Sequence, residues 1–133
     1  MVKHSKPIIA VLLATLWISL SEFLRNDVIL KSFWVKHYQN IGLIFPDKPI
    51  NGCVWGLWSL MFAVGIYVIA SKFSLIQTTL ISWFMAFVLM WITIGNLSVL
   101  PFKILWFAVP LSLLEAFVAT WIIKIFQSSK HSI

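Results

Sequence analysis

The stretch FKILWFAVPLSLLEAFVATWIIKIF, residues 102–126, is long enough and apolar enough to cross a lipid bilayer as one helix. A bilayer core of about 30 Å requires roughly 20 helical residues. Glu115 lies near the middle of this stretch, although the whole chain has only four acidic residues. An ionisable side chain at that depth costs roughly 2.5–3.5 kcal/mol on insertion scales, and such residues usually have a role. The stretch therefore predicts a membrane fold and marks Glu115 as a candidate functional residue.

The composition of the whole chain also indicates a membrane protein. Of its 133 residues, 61% are hydrophobic and 11% are charged. A soluble domain of this size needs more polar surface. Many of the eight Trp residues lie near the ends of apolar runs, where aromatic rings favour the level of the lipid headgroups.

Four apolar stretches predict one membrane domain, residues 1–133, with four spans. Their approximate bounds are 7–24, 52–70, 73–97 and 102–126. The first stretch ends without the small-residue pattern of a cleaved secretory signal, which favours a retained span. The links at Ser71-Lys72 and Ser98–Pro101 are so short that consecutive spans should be antiparallel neighbours. The predicted fold class is an all-α integral membrane protein, an antiparallel bundle of four transmembrane helices.

The long connection between the first two predicted spans contains a polar segment at residues 27–40. Its apolar and aromatic residues recur at helical spacing: Leu30, Phe33, Trp34, His37 and Tyr38. The segment is too short and too polar to span a bilayer, and its pattern is typical of a short amphipathic helix at the membrane interface. An extended loop is the alternative.

The basic residues are scattered, which argues against nucleic-acid binding and favours contact with anionic lipid headgroups. With four spans, one side of the membrane carries Lys3, Lys6, Lys72, Lys124 and Lys130. The other side carries Arg25, Lys31, Lys36, Lys48 and Lys103. This equal division gives the positive-inside rule no clear result. The short acid-free flanks favour cytoplasmic termini in a bacterial plasma (inner) membrane.

One face of the fourth predicted span carries the candidate intramembrane site. Ala108, Ser112, Glu115 and Ala119 follow at steps of four, three and four residues. Small side chains allow close helix approach, so this face should point into the bundle or towards another subunit. Glu115 with Ser112 is the predicted proton or ion site, and no Lys or Arg is expected at the same depth. The alternative is a protonated Glu115 that fixes helix packing through one interhelical hydrogen bond.

Two further groups of residues are candidates for a role. The alternation of spans places Glu22, Arg25, Asn26 and Asn96 on one side of the membrane, where they could form a polar vestibule leading towards Glu115. Glu22 and Arg25 are three residues apart, so a local ion pair is the alternative. The second span contains a predicted helix-packing seam, within the chain or between copies, formed by Gly52, Gly56, Ser59 and Ala63.

Several chemistries lack the residues that they need. Cys53 is the only cysteine, which excludes an intrachain disulfide and a thiolate metal cluster. The three His residues fall outside the predicted spans, and no hydrolase or phosphate-binding motif is present. We therefore expect no cofactor, metal site or catalytic residue. An enzyme acting on lipid at the headgroup level is the least favoured class.

These features leave two main functional hypotheses. The first is an ion- or proton-coupled transporter, or a channel-like protein, that uses Glu115. The alternative is a non-catalytic membrane subunit or assembly factor of a larger complex. Four helices enclose little room, so we expect a homo-oligomer or an assembly with other membrane subunits.

In its small size, four predicted spans and embedded glutamate, the chain is similar to small multidrug-resistance transporters, which act as dimers. That family's glutamate lies inside its first helix, whereas Glu22 of this chain stands at the end of the first predicted span. The resemblance therefore assigns no residue.

Overall fold

The computed structural model describes residues 2–128, with side chains from Ser5 onward. The predictions for Lys3 and Lys130 concern side chains outside the described part. All regular structure within residues 2–128 is helical, with no strand. The α-helices are α1 Val2–Phe23, α2 Lys31–Asn40, α3 Pro49–Ala70, α4 Leu75–Trp83, α5 Leu89–Asn96 and α6 Leu105–Ser128.

Wider π-helical turns extend two of these helices. The turn Leu24–Ile29 continues α1, and the turn Phe84–Val88 joins α4 to α5. A short 3₁₀ turn, Phe102–Ile104, leads into α6. The described chain therefore forms five continuous helical segments.

Four of these segments are long and apolar enough to cross a membrane, in agreement with the number of predicted spans. They are Ser5–Ile29, Pro49–Ala70, Leu75–Asn96 and Phe102–Ser128. The first extends beyond the end predicted at Leu24 because its backbone stays hydrogen-bonded through the π turn. At the end of that turn the Leu30 N–H donates to the Arg25 carbonyl over 2.8 Å. Arg25 therefore belongs to a helix that packs in the bundle.

Within the bundle of four long segments, α1 and α6 make the most extensive contacts with each other and with their neighbours. Helix α1 contacts α3 and α6 most extensively, and α4 packs against α6 and α3. Small and branched residues fill the space between α1, α3 and α6: Ala10, Ala14, Ile18, Ala63, Ile66, Ala70, Ala119 and Ile123. Alanine at these positions lets the helix backbones approach closely.

The predicted seam on α3 is only partly used within the chain. Ser59 and Ala63 are fully buried. Gly52 is exposed, and a Cβ atom added at Gly52 or Gly56 would meet no atom within 4 Å. The close packing of α3 in this chain therefore involves Ser59 and Ala63 and leaves both glycines open.

Helix α2 lies across the end of the bundle where α5 ends and α6 begins. Leu30, just before α2, is fully buried in a cluster completed by Leu100, Ile104 and Ala108. His37 Nε2 lies 2.8 Å from the Ser98 carbonyl oxygen, and the Phe33 ring centroid lies 6.5 Å from that of Phe107. The face predicted from helical spacing therefore contacts other helices of the chain.

The π turn in the third long segment changes which residues face the bundle. Thr78 and Ser82 are buried before the turn, and Phe87 is buried within it. Thr93 and Asn96 are exposed after it. One extra residue in a helical turn rotates everything that follows by about 100°. Asn96 is therefore turned out of the interior.

The tight link between α3 and α4 is held by α6. Lys124 Nζ donates to the Ala70 carbonyl over 2.6 Å and also to the Phe73 carbonyl. These carbonyls lie at or just beyond a helix end, where intrahelical donors are missing. Ser74 and Gln77 then cap the start of α4 by reciprocal hydrogen bonds between side chain and backbone.

We predict that Ala63→Leu destabilises the bundle. Ala63 is fully buried among α1, α3 and α6, so extra carbons must displace packed side chains. Overpacking of this kind costs about 1–3 kcal/mol. The measurement is the free energy of unfolding of the purified protein in mild detergent. The neighbouring Val64→Leu adds a carbon on an exposed face and should change the stability little; equal effects of the two substitutions would contradict the described packing.

Candidate functional site

Glu115 lies in the interior of the bundle, on the predicted face of α6. Its side chain is fully buried, as are those of Ser112 and Ala119, and Ala108 is nearly so. The Trp17 Nε1–H donates to the Glu115 backbone carbonyl over 3.0 Å. Helices α1 and α6 are therefore joined by a hydrogen bond at the level of Glu115.

A cationic partner reaches Glu115 from α1. Arg25 Nη1 lies 3.6 Å from Glu115 Oε1, and both side chains are buried. The expectation that Glu115 has no Lys or Arg at its depth is therefore wrong. The predicted first span ends at Leu24, one residue before Arg25. In the structure the helix continues past Leu24, and the long side chain of Arg25 extends from it into the bundle.

The same guanidinium also binds Glu22. Arg25 Nη2 donates to Glu22 Oε1 in a buried ion pair within the turn that ends α1. Glu22 and Arg25 are each 5% exposed, against 0% for Glu115. We call Glu22, Arg25, Asn26 and Glu115 the polar cluster.

Hydrogen bonds connect the polar cluster to α2. Asn26 Nδ2 donates to Glu22 Oε2 over 2.9 Å, and Asn26 Oδ1 accepts from Trp34 Nε1 over 3.1 Å. Trp34 lies on α2 with its ring against those of Tyr38 and Phe45. A continuous set of polar contacts therefore runs from α2 to the buried ion pair.

Several polar atoms at the buried end of the polar cluster lack a hydrogen-bond partner among the described residues. Neither carboxyl oxygen of Glu115 has a hydrogen-bond partner among the described residues, and neither does Arg25 Nη1. Buried charges are normally paired and hydrogen-bonded, because the lost hydration is costly. Two carboxylates face one guanidinium, so the cluster becomes electrically neutral when one carboxyl group carries a proton.

Aromatic rings lie against one side of the polar cluster. The guanidinium carbon of Arg25 lies 5.1 Å from the centroid of the Phe87 ring. Phe87 belongs to the π turn between α4 and α5 and packs against the rings of Trp58, Phe62 and Trp91. A desolvated cation over an aromatic face gains about 2 kcal/mol. Turns of this wide type occur frequently at functional sites.

The structure brings together only some of the predicted site residues. Ser112, the predicted partner of Glu115, instead accepts from Trp83 Nε1 over 2.9 Å and donates to the Val109 carbonyl over 3.0 Å. Asn96, predicted for the vestibule, is exposed. Arg25 pairs with both Glu22 and Glu115, and the half-buried Asn26 is joined to them through its hydrogen bond to Glu22.

Sequence reasoning missed three aromatic residues around the cluster: Trp17, Trp34 and Phe87. Helical spacing predicts Trp34 on the apolar face of an interfacial helix, and in the structure its indole N–H donates to Asn26 Oδ1. No signal in the sequence identifies Phe87, because its position depends on the π turn.

Within the described residues no three His, Cys, Asp or Glu side chains are grouped as metal ligands would be. Two open surface clefts occur elsewhere, one beside Trp83 and Phe84 and one beside Lys124 and Gln127. Comparison with protein-family models, with curated proteins and with solved structures found no significant match to this chain.

We predict that Arg25→Met lowers the free energy of unfolding by about 3 kcal/mol at neutral pH. Removing one partner of a buried ion pair leaves an uncompensated charge, which costs about that much. The loss should shrink on acidification, because protonation neutralises the carboxylate that is left without its cationic partner. Unfolding in mild detergent at several pH values measures both effects.

Lys31→Met is the matched control for this substitution. Lys31 pairs with Asp47 over 3.7 Å, but both side chains are well exposed, so the loss should stay below about 1 kcal/mol. A cost for Arg25→Met no larger than for Lys31→Met would show that the buried cluster contributes nothing to stability.

Proposed function

We propose that this chain is an integral membrane protein with four transmembrane helices. The outward faces of the long segments support this, because they carry large apolar side chains rather than charges. On α1 alone, Leu12, Leu16 and Leu20 are each more than half exposed. Exposed apolar surface of this extent marks contact with lipid or with other apolar surfaces. In this arrangement α2 lies at the interface, and the termini are cytoplasmic in a bacterial plasma membrane.

Single cysteines placed in the two short links test this topology. In Cys53→Ser protein, cysteines at Ser71 and at Ser98 should react with a membrane-impermeant reagent from opposite sides of sealed vesicles. The two links lie at opposite ends of the helix Leu75–Asn96. Labelling of both positions from the same side would exclude the four-span arrangement.

We further propose that the polar cluster makes this protein a small proton-coupled transporter or a channel-like protein. The carrying observation is the Arg25 guanidinium placed between Glu22 and Glu115, with neither Glu115 carboxyl oxygen hydrogen-bonded among the described residues. Ionisable groups inside a membrane bundle commonly mark ion or proton pathways. A group that only fixed packing would gain most from full hydrogen bonding, and Glu115 lacks it.

The chemistry of the cluster favours a proton over a metal ion as the coupled species. Arg25 already supplies one positive charge to the two carboxylates. The remaining charge imbalance equals one proton. Glu115 and Glu22 offer too few donors for a divalent cation while Arg25 occupies the space between them.

Proton flux into vesicles tests the transport proposal. Glu115→Gln keeps the shape and polarity of the side chain but cannot exchange a proton. We expect it to abolish flux, as reported by a pH-sensitive dye trapped in reconstituted vesicles. The matched control is Asp27→Asn, which removes an exposed acid close in sequence to the cluster and should leave flux unchanged. Unchanged flux in Glu115→Gln would exclude proton coupling through this residue.

A second candidate function is a non-catalytic subunit or assembly factor of a membrane complex. Two observations favour it. Indole N–H groups of Trp17 and Trp83 bind α6 on either side, which suits a rigid packing element. The open glycines, Gly52 and Gly56, leave a face of α3 free for a helix from another copy or another subunit. Under this alternative Glu115→Gln changes the stability and the assembly of the protein little. Native mass measurement in lipid then shows a homo-oligomer or a bound partner.

A further inference from the structure

Arg25 stands between acidic side chains that come from different helices. Its Nη2 arm donates to Glu22 of α1, and its Nη1 arm lies 3.6 Å from Glu115 Oε1 of α6 without a hydrogen bond. Glu22 and Glu115 are therefore both within reach of the same guanidinium. A small displacement of the guanidinium therefore exchanges one carboxylate partner for the other.

No other ionisable group competes for these positions among the described side chains. Helices α4 and α5 contain no ionisable residue, and Cys53 and Tyr67 lie near opposite ends of α3. The ionisable groups of α6 and α2 that pack on the bundle are engaged elsewhere: Lys124 with the α3–α4 link, Lys31 with Asp47 and His37 with Ser98. The three charges of the cluster therefore act on one another.

We propose that Glu22 and Glu115 hold a single proton between them and that Arg25 pairs with whichever carboxylate is ionised. In the described arrangement Arg25 binds Glu22, so the proton resides on Glu115. In the exchange step, the O–H bond of Glu115 breaks and an O–H bond forms on Glu22. Arg25 keeps its charge and moves its ion pair to Glu115, so the net charge of the cluster does not change.

The surroundings of the two carboxyl groups give this exchange a direction. Glu22 is the less buried of the two and is connected through Asn26 and Trp34 to α2. Glu115 has no comparable connection. Protons therefore enter and leave at Glu22 from the α2 end of the bundle, and Glu115 is the inner store. Asn26 acts as a positioning residue, because it holds Glu22 Oε2 by a hydrogen bond.

This inference rests on the proposed proton-coupled function, but infrared spectroscopy tests it without measuring transport. A buried protonated carboxyl group gives a carbonyl band that an ionised carboxylate lacks. The protein in lipid should show this band at neutral pH. Glu22→Gln and Glu115→Gln should each abolish it, because the remaining carboxylate then pairs alone with Arg25. Asp27→Asn is the control and should retain the band.

The accessibility of the shared proton is tested by exchange into heavy water. Asn26→Leu is expected to slow the isotope shift of the carboxyl band by about tenfold or more, equivalent to about 1.4 kcal/mol in the barrier. Trp34→Phe, which keeps a ring but removes the donor to Asn26, should slow it in the same direction. Asn96→Leu replaces an exposed amide outside the cluster and should leave the rate unchanged.

The outcomes separate this inference from the transport proposal. A band that persists in Glu22→Gln, or its absence from the unmodified protein, overturns the shared proton. Unchanged exchange in both Asn26→Leu and Trp34→Phe overturns the route through Glu22. If the band behaves as expected while vesicles with unmodified protein show no flux, the transport proposal fails and the shared proton stands.

Discussion

The buried contact of Arg25 with Glu22 and Glu115 is the interaction on which the rest of this structure depends. A guanidinium and a carboxylate that leave water lose several kcal/mol of hydration each, and only close partners restore it. The helix of α1 must therefore continue past Glu22 to carry Arg25 inward. Arg25 itself lies in the π turn, the Phe87 ring faces its guanidinium, and the Asn26 amide binds Glu22. Each of them reduces the cost of keeping charge inside an apolar bundle.

The charges in this contact are also unequal in number, because two carboxyl groups face one guanidinium. This charge imbalance links the structure to the proposed function. A cluster kept only for stability would pair its charges one to one and satisfy every donor and acceptor. Here two acids share one base, and the inner carboxyl group has no hydrogen bond among the described residues. Replacing such a group with apolar side chains often stabilises a protein. This imbalance is the feature on which the proposed proton exchange is based.

Two tryptophan hydrogen bonds fix the packing of α6, the helix that also carries Glu115. Trp17 and Trp83 bind the backbone and a hydroxyl group of α6 within one turn of Glu115. These bonds tie α6 to α1 and α4, which restricts shifts of α6. The exchange of Arg25 between two partners fits that restriction, because it needs only a small displacement of the guanidinium.

The sequence by itself determined the helical class, the number of long apolar segments and the inward face of α6 that carries Glu115. Those features depend on hydrophobic length and on a 3.6-residue period, which are local properties of the chain. The tertiary structure alone decided that Arg25 reaches Glu115, that Ser112 binds Trp83 instead, and that Asn96 is turned outward. Those facts depend on two π turns and on the relative depth of antiparallel helices. The π turns leave no periodic signal in the sequence. A single extra residue in a turn rotates the rest of the helix without changing the local composition.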